Sequence, residues 1–109
     1  MTTRYFAVWA TDAPGMLHVR QRVREAHRAR LRDPGEHPVR VLLGGATLDD
    51  DAAQMNGTLL VLQAEHIDAV RRFVAEDPYV REGVYQSVEV RPWAWGLGQP
   101  KEPDDRLAG

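Results

Sequence analysis

The chain has 109 residues, of which 43% are hydrophobic, and a formal net charge of -2. This size and composition predict one globular domain with its own core, and the small negative charge gives no electrostatic case for nucleic acid as a partner. Because the chain has no cysteine, disulfides, thiolate metal ligands and a cysteine nucleophile are excluded. The sequence opens on a strand-like run, and no apolar run approaches the roughly 20 residues that span a bilayer. We therefore expect a cytoplasmic protein that does not bind a membrane.

The first strand and the first helix are predicted in the N-terminal third. Residues Arg4 to Ala10 are rich in aromatic and β-branched side chains, and the turn cluster Asp12-Ala13-Pro14-Gly15 follows them. From Met16 to Leu31, apolar residues recur at helical spacing until the breaker Asp33-Pro34-Gly35.

Three more strands and a second helix are predicted in the rest of the chain. A strand from Val39 to Leu43 leads into Gly44-Gly45, and a polar connection separates it from an apolar strand at Thr58 to Ala64. The second helix begins near Ile67 and ends before Pro78, since the residue preceding a proline is pushed out of the helical region. Val84 to Trp93 alternates as the fourth strand. In that alternation Val84, Val88 and Val90 share one face, and Tyr85, Ser87, Glu89 and Arg91 share the other.

The order βαββαβ indicates an α+β fold of the ferredoxin-like type, a four-stranded antiparallel sheet with two helices on one face. The first and third strands carry apolar residues on both faces, which favours central positions for them. The uncovered face of the sheet then exposes large apolar side chains, a feature typical of an association surface. We expect a homodimer through this open face, a domain over residues 1–96 and a disordered tail over residues 97–109.

A candidate site is formed by Arg20, Arg24 and His27, which lie on one stripe of the first helix. Two arginines four residues apart repel each other, and a carboxylate or an anionic ligand would relieve this repulsion; Asp77 is the candidate carboxylate. His27 flanks the apolar stripe and should be partly buried. It could equally be a structural histidine bonded to a backbone carbonyl, and Asp77 before Pro78 is a common turn device. The two residues form a site only if they meet in space.

Other chemistry-bearing residues give weaker signals. Thr58, Tyr79 and Tyr85 are possible donors to a ligand oxygen, and each is also an ordinary strand or core residue. No two histidines share a helical spacing and Asp49-Asp50-Asp51 lacks the spacing of a calcium loop, so no metal site is predicted. No cofactor-binding motif is present, and we expect no cofactor.

The chain resembles the YCII-related proteins in the order and combination of its motifs. The matching stretches are residues 20–31, 42–46, 57–61 and 77–85, followed by Val90-Arg91-Pro92-Trp93. The resemblance implies a ferredoxin-like domain that forms dimers of the dimeric α+β barrel type, with a site built around a histidine and an aspartate. By motif these are His27 and Asp77, with Gly45 and Thr58 in the pocket wall. A few members of that family look like cofactor-free lyases or dehydrohalogenases acting on ring substrates.

The leading hypothesis is a small-molecule enzyme in which His27 acts as general base or acid and Asp77 orients it. Arg20 or Arg24 would steer a polar or anionic substrate. Isomerisation, elimination or lactone chemistry would fit these residues. The competing hypothesis is a non-catalytic binding or accessory dimer, in which His27 and Asp77 are a structural pair.

Overall fold

The computed structural model describes residues 4–99, and most of the predicted tail lies outside the described residues. Within residues 4–99 the chain forms three helices and four strands, none of the helices being long and apolar enough to cross a membrane. In chain order they are β1 (Arg4–Asp12), α1 (Leu17–Arg32), β2 (Arg40–Leu48), β3 (Met55–Ala64), α2 (Ile67–Ala75), α3 (Pro78–Arg81) and β4 (Tyr85–Trp93). The predicted order is confirmed, with the four-residue helix α3 as the one addition.

The four strands form one antiparallel sheet in the order β2-β3-β1-β4. As predicted, β1 and β3 are central; β2 and β4 are the edge strands, and β2 pairs with β3. Both β2 and β3 are longer than predicted, since they extend to Leu48 and back to Met55. The polar connection between them is thus a short turn, in which the carboxylate of Asp49 accepts the backbone N–H of Ala53 at 2.9 Å.

The core lies between one face of the sheet and the helices. Four buried side chains of β1 and β3 pack there against three of α2: Phe6, Val8, Leu60 and Leu62 against Val70, Phe73 and Val74. The apolar residues of α2 recur at three- and four-residue spacing, which gives the helix one continuous apolar side. On the opposite face Trp9 pairs with Leu59 across β1 and β3. These two side chains are 51% and 42% exposed, so this face is open as predicted.

A β-bulge interrupts the pairing of β1 with β4. Thr11 lies opposite Ser87 but Asp12 lies opposite Tyr85, so β4 carries one extra residue at this point. The bulge turns Tyr85 to the helix-covered face, where its hydroxyl donates to Thr58 Oγ1 at 2.9 Å. The prediction that Tyr85 shares a face with Ser87 was therefore wrong, because strict alternation makes no allowance for a bulge.

At Gly57 the strand β3 closely approaches its neighbours β1 and β2. A Cβ atom at this position would collide with the carbonyl oxygen of Ala10 and with the hydroxyl of Thr47. Glycine therefore allows β1 and β2 to close around β3 immediately before Thr58. At Gly45, in contrast, an added Cβ would meet no atom within 4 Å.

Candidate active site

A cavity of about 170 Å³, here called the inner cavity, is lined by residues of α1, β2 and β3 and by Tyr79. Six of the eight residues that the sequence predicts for a site line it: Arg20, Arg24, His27, Gly45, Thr58 and Tyr79. The other two, Asp77 and Tyr85, lie one hydrogen bond behind this wall, on His27 and Thr58 respectively. The folded chain thus brings residues from four separate stretches of sequence to one place.

His27 and Asp77 meet through a buried hydrogen bond. His27 Nδ1 lies 2.9 Å from each carboxylate oxygen of Asp77, and the two residues are only 6% and 4% exposed. Since a carboxylate accepts hydrogen bonds, Nδ1 carries the proton, and the neutral imidazole then has its lone pair on Nε2. Nδ1 is thus engaged by Asp77, whereas Nε2 makes no hydrogen bond to the described part of the chain.

Asp77 also serves the turn from which α3 begins. Its backbone is extended (φ -69°, ψ 143°), as the residue before a proline prefers. Its carboxylate caps α3 by accepting the backbone N–H of Tyr79 at 2.9 Å. The sequence left open whether Asp77 forms a turn or contacts His27. In the structure the Asp77 side chain does both.

Arg30 is a third member of this group that the sequence analysis missed. Its Nη1 donates to Asp77 Oδ1 at 3.2 Å, and its guanidinium lies 4.3 Å from the centre of the Phe73 ring. Its Nη2 is buried without a hydrogen-bond partner among residues 4–99. The charge of Asp77 is therefore balanced by Arg30 even when His27 is uncharged. Arg30 stands three residues after His27 on α1, and this spacing is the signal that could have found it.

Arg20 pairs with Asp12 rather than with Asp77. Its Nε and Nη2 donate to the two oxygens of Asp12 at 2.8 and 3.0 Å, and Nη2 also donates to Thr58 Oγ1 at 2.6 Å. Burial by itself would lower the pKa of Arg20, but the hydrogen bond and charge of Asp12 outweigh it and raise that pKa. The prediction that Asp77 relieves the repulsion between the arginines was wrong, because Asp12 projects from the end of β1 to the same buried group.

Tyr79 forms an aromatic wall between the two buried groups. Its ring stacks on the imidazole of His27 with centroids 4.0 Å apart, and the Arg20 guanidinium lies 4.3 Å from its centroid. Burial raises the pKa of the Tyr79 hydroxyl. Burial likewise raises the pKa of Tyr85, against the smaller opposing effect of its hydrogen bond to Thr58. Both phenols are therefore neutral donors at ordinary pH.

Unbalanced positive charge lies at the inner cavity. Arg24 is exposed there and makes no salt bridge within the described part of the chain, and Arg28 approaches Glu25 only to 3.9 Å. An anionic ligand would satisfy both guanidinium groups. Among residues 4–99, no three His, Asp or Glu side chains lie close enough together to bind a metal ion.

The fold and the inner cavity define a ferredoxin-like α+β domain with a buried His–Asp pair. A family model of the YCII-related domain matches residues 4–94. Protein YciI of Escherichia coli is 33% identical over 96 residues, which are 81% of this chain and 94% of the relative. An uncharacterized protein of Haemophilus influenzae is 36% identical over 94 residues, covering 82% and 95% respectively. The chain belongs to the YCII-related family.

Solved structures share the dimeric α+β barrel type of fold. One is the 5-chloro-2-hydroxyhydroquinone dehydrochlorinase TftG of Burkholderia phenoliruptrix, in complex with 2,5-dihydroxybenzoquinone. It is 32% identical with a TM-score of 0.71, and the match covers 84% of this chain and 95% of TftG. Another is PA3566 of Pseudomonas aeruginosa, 18% identical with a TM-score of 0.53, covering 89% and 97%. The likeness to PA3566 shows the fold alone.

Proposed function

We propose that this protein is a small-molecule enzyme in which His27 moves a proton on an anionic, hydroxylated ring compound. The observation that carries the proposal is the hydrogen bond from His27 Nδ1 to Asp77 behind an imidazole that lines the inner cavity. The likeness to TftG, a dehydrochlorinase solved with a dihydroxybenzoquinone, supports a ring as the substrate.

The proposed chemistry begins with His27 as a base. Its Nε2 takes a proton from the ring compound, and Asp77 stabilises the imidazolium that forms. In an isomerisation, the electron pair of the broken bond becomes a new π bond and the imidazolium gives the proton back at a different ring atom. In an elimination, one hydroxyl proton of the ring first moves to the carbon that carries the halogen, which becomes saturated while the oxygen becomes a carbonyl. His27 then takes the proton of a second hydroxyl, whose O–H pair forms another C=O bond; a ring π bond shifts toward the saturated carbon, the halide leaves with its own bonding pair, and His27 passes the proton to water. A positioned base of this kind typically contributes about 10² to 10⁴-fold in rate.

The arginines would supply charge stabilisation for this step. Proton removal places negative charge on a ring oxygen, and a guanidinium at the cavity wall is a fitting partner for such an oxyanion. Arg24 and Arg28 are the candidates with no short ion pair of their own in the described chain. Arg20 retains Nη1, the one nitrogen that neither Asp12 nor Thr58 engages.

The test uses halogenated hydroxyhydroquinones, beginning with 5-chloro-2-hydroxyhydroquinone, and follows halide release together with the melting temperature. We expect turnover by the wild type, and a loss of about 100-fold or more in His27→Gln with little change in melting temperature. His18→Gln is the matched control, since His18 is exposed on the same helix. A wild type that converts no member of a panel of halogenated and lactone-forming rings would contradict the enzyme.

The alternative is a non-catalytic ligand-binding dimer. The observation that favours it is that His27, Asp77 and Tyr79 join α1 to α3, as a purely structural cluster also would. In that case His27→Gln would lower the melting temperature by several degrees, and the wild type would bind ring compounds without converting them.

We also propose that two copies of this chain associate through the open face of the sheet. Trp9, Leu59 and Leu43 lie on neighbouring strands and are 51%, 42% and 54% exposed, an apolar surface that a second copy would cover. Analytical ultracentrifugation should give the mass of two chains for the wild type and of one chain for Trp9→Glu. Leu97→Glu is the control, because Leu97 is 92% exposed outside the strands.

A further inference from the structure

A second cavity of about 400 Å³, here called the outer cavity, adjoins the inner one. The two share Arg28, Leu31 and Gly44 in their walls. The inner cavity, at about 170 Å³, is smaller than the roughly 300 to 1,000 Å³ that ligand sites usually occupy, whereas the two cavities together fall within that range. A ligand of ordinary size that reaches His27 therefore extends into the outer cavity.

The outer cavity is lined by apolar residues and by arginines. Leu31, Val39 and Val41 are among its apolar lining residues, and its three charged lining residues are all arginines: Arg28, Arg32 and Arg40. Arg32 and Arg40 make no salt bridge within residues 4–99, and no acidic side chain lines this cavity.

The arrangement is more than the exposed side of one arginine-rich helix. Arg28 and Arg32 belong to α1, but Arg40 is the first residue of β2, so charged residues of two separate elements line one cavity. Like charges gathered in this way repel each other, in a chain whose net charge is -2. An anion between them would relieve the repulsion, and guanidinium groups bind carboxylate and phosphate through paired N–H donors.

We infer that the outer cavity binds an apolar arm of the substrate that ends in a carboxylate or a phosphate. The arm is attached to the ring that reacts at His27, and to that extent the inference rests on the proposed function. The arm lies over Leu31 and Val41, and its anionic end meets Arg32 and Arg40. The substrate class is thus a hydroxylated ring with an acidic side chain rather than a bare ring.

The anion site can be tested without any ring. Inorganic phosphate and acetate are titrated separately into the ¹⁵N-labelled full chain at low salt, and the backbone amides of Val41, Leu42 and Gly44 are followed. We expect saturable shifts at these amides with at least one of the two anions, and the stronger binder identifies phosphate or carboxylate as the preferred end. In Arg32→Gln/Arg40→Gln the apparent affinity should fall about fivefold or more.

The matched control is Arg71→Gln/Arg81→Gln, which removes the same charge from α2 and α3. It should keep the wild-type affinity. No saturable shift with either anion, or an equal loss in the control pair, would overturn the anion site, because only a general charge effect would then remain.

The arm is tested with hydroquinone and 3-(2,5-dihydroxyphenyl)propanoate. We expect the acid to bind the wild type about tenfold more tightly, and Arg32→Gln/Arg40→Gln to remove this gain. Equal affinities for hydroquinone and for the acid would overturn the inference, and the proposed function would still stand. Saturable anion binding at the outer cavity with no ring binding would support the anion site and count against the ring substrate.

Discussion

The ring of Tyr79 and the imidazole of His27 lie 4.0 Å apart between centroids, with their planes inclined by 23°. Both rings are positioned by Asp77, which accepts the backbone N–H of Tyr79 at 2.9 Å and lies 2.9 Å from His27 Nδ1. The stack therefore depends on the shape of the Asp77 side chain as well as on its charge. Variants that change one property and keep the other separate the two contributions.

Asp77→Asn keeps the shape and removes the charge. Asparagine caps a helix about as well as aspartate does, whereas alanine loses the cap. We expect Asp77→Ala to be less stable than Asp77→Asn by about 1 kcal/mol in urea unfolding, while both variants lose turnover. Equal stability of Asp77→Ala and Asp77→Asn would contradict the capping role of the Asp77 side chain.

Arg30→Gln removes the second cation that shares Asp77. The carboxylate then loses the hydrogen bond from Arg30 Nη1. A hydrogen bond to a charged group typically contributes about 1.5 to 3 kcal/mol, so we expect Arg30→Gln to lose stability in this range in urea unfolding. Arg22→Gln is the control, because Arg22 belongs to the same helix but pairs with Glu82 at the surface. A loss no larger than that of Arg22→Gln would contradict a stabilising contact between Arg30 and Asp77.

The ion pair of Arg20 with Asp12 should be strongly coupled to stability. Removing one partner of a buried pair leaves the other charge unbalanced, which typically costs about 3 to 5 kcal/mol. We expect Arg20→Met and Asp12→Asn each to fall near this range in urea unfolding, and the double variant to cost less than their sum. The exposed pair of Arg22 with Glu82 should give a coupling below about 1 kcal/mol in the same double-mutant cycle. Additive losses at Arg20 and Asp12 would mean that the pair contributes no coupling.

Stability should fall at alkaline pH because burial raises the pKa of Tyr85 above its ordinary value of 10.0. Above that pH the unfolded chain releases the phenolic proton while the folded chain retains it. The folded state then binds more protons, and the free energy of unfolding decreases as pH rises. Tyr85→Phe should be less stable than the wild type at pH 8 by about 1 kcal/mol, for the lost hydrogen bond to Thr58. This difference in the free energy of unfolding, measured in urea, should narrow toward pH 11. A difference that stays constant with pH would contradict a raised pKa of Tyr85 in the folded state.

The fold could be predicted because its signals are local and repeated. Apolar spacing places α1, α2 and the strands, and apolar residues on both faces identify β1 and β3 as central. The meeting of His27 with Asp77 rested on the family resemblance, since spacing alone allowed a structural histidine and a turn device. Hydrogen-bond geometry between residues 50 positions apart is not encoded in either stretch by itself.

The sequence did not predict the places of three residues of the site, namely Asp12, Arg30 and Tyr85. Asp12 was assigned to a turn, yet it continues the two-residue period of the buried positions of β1, and that period could have revealed it. Arg30 was hidden among six arginines of one helix, which spacing alone does not rank. The position of Tyr85 depends on a bulge, for which the alternating pattern of β4 holds no signal.

The number of residues at the bulge in β4 determines which face of the sheet each side chain takes. Asp12 pairs with Tyr85 and Thr11 with Ser87, so Gln86 is the inserted residue. If the bulge were lost with Gln86 retained, Gln86 would take the place opposite Asp12, Tyr85 would turn to the open face, and Thr58 would lose its phenolic donor. Deleting Gln86 would instead leave Tyr85 opposite Asp12, on the helix-covered face of a regular strand. In relatives of this chain, a tyrosine that directly precedes the residue aligned with Ser87 would therefore occupy the place of Tyr85 without a bulge.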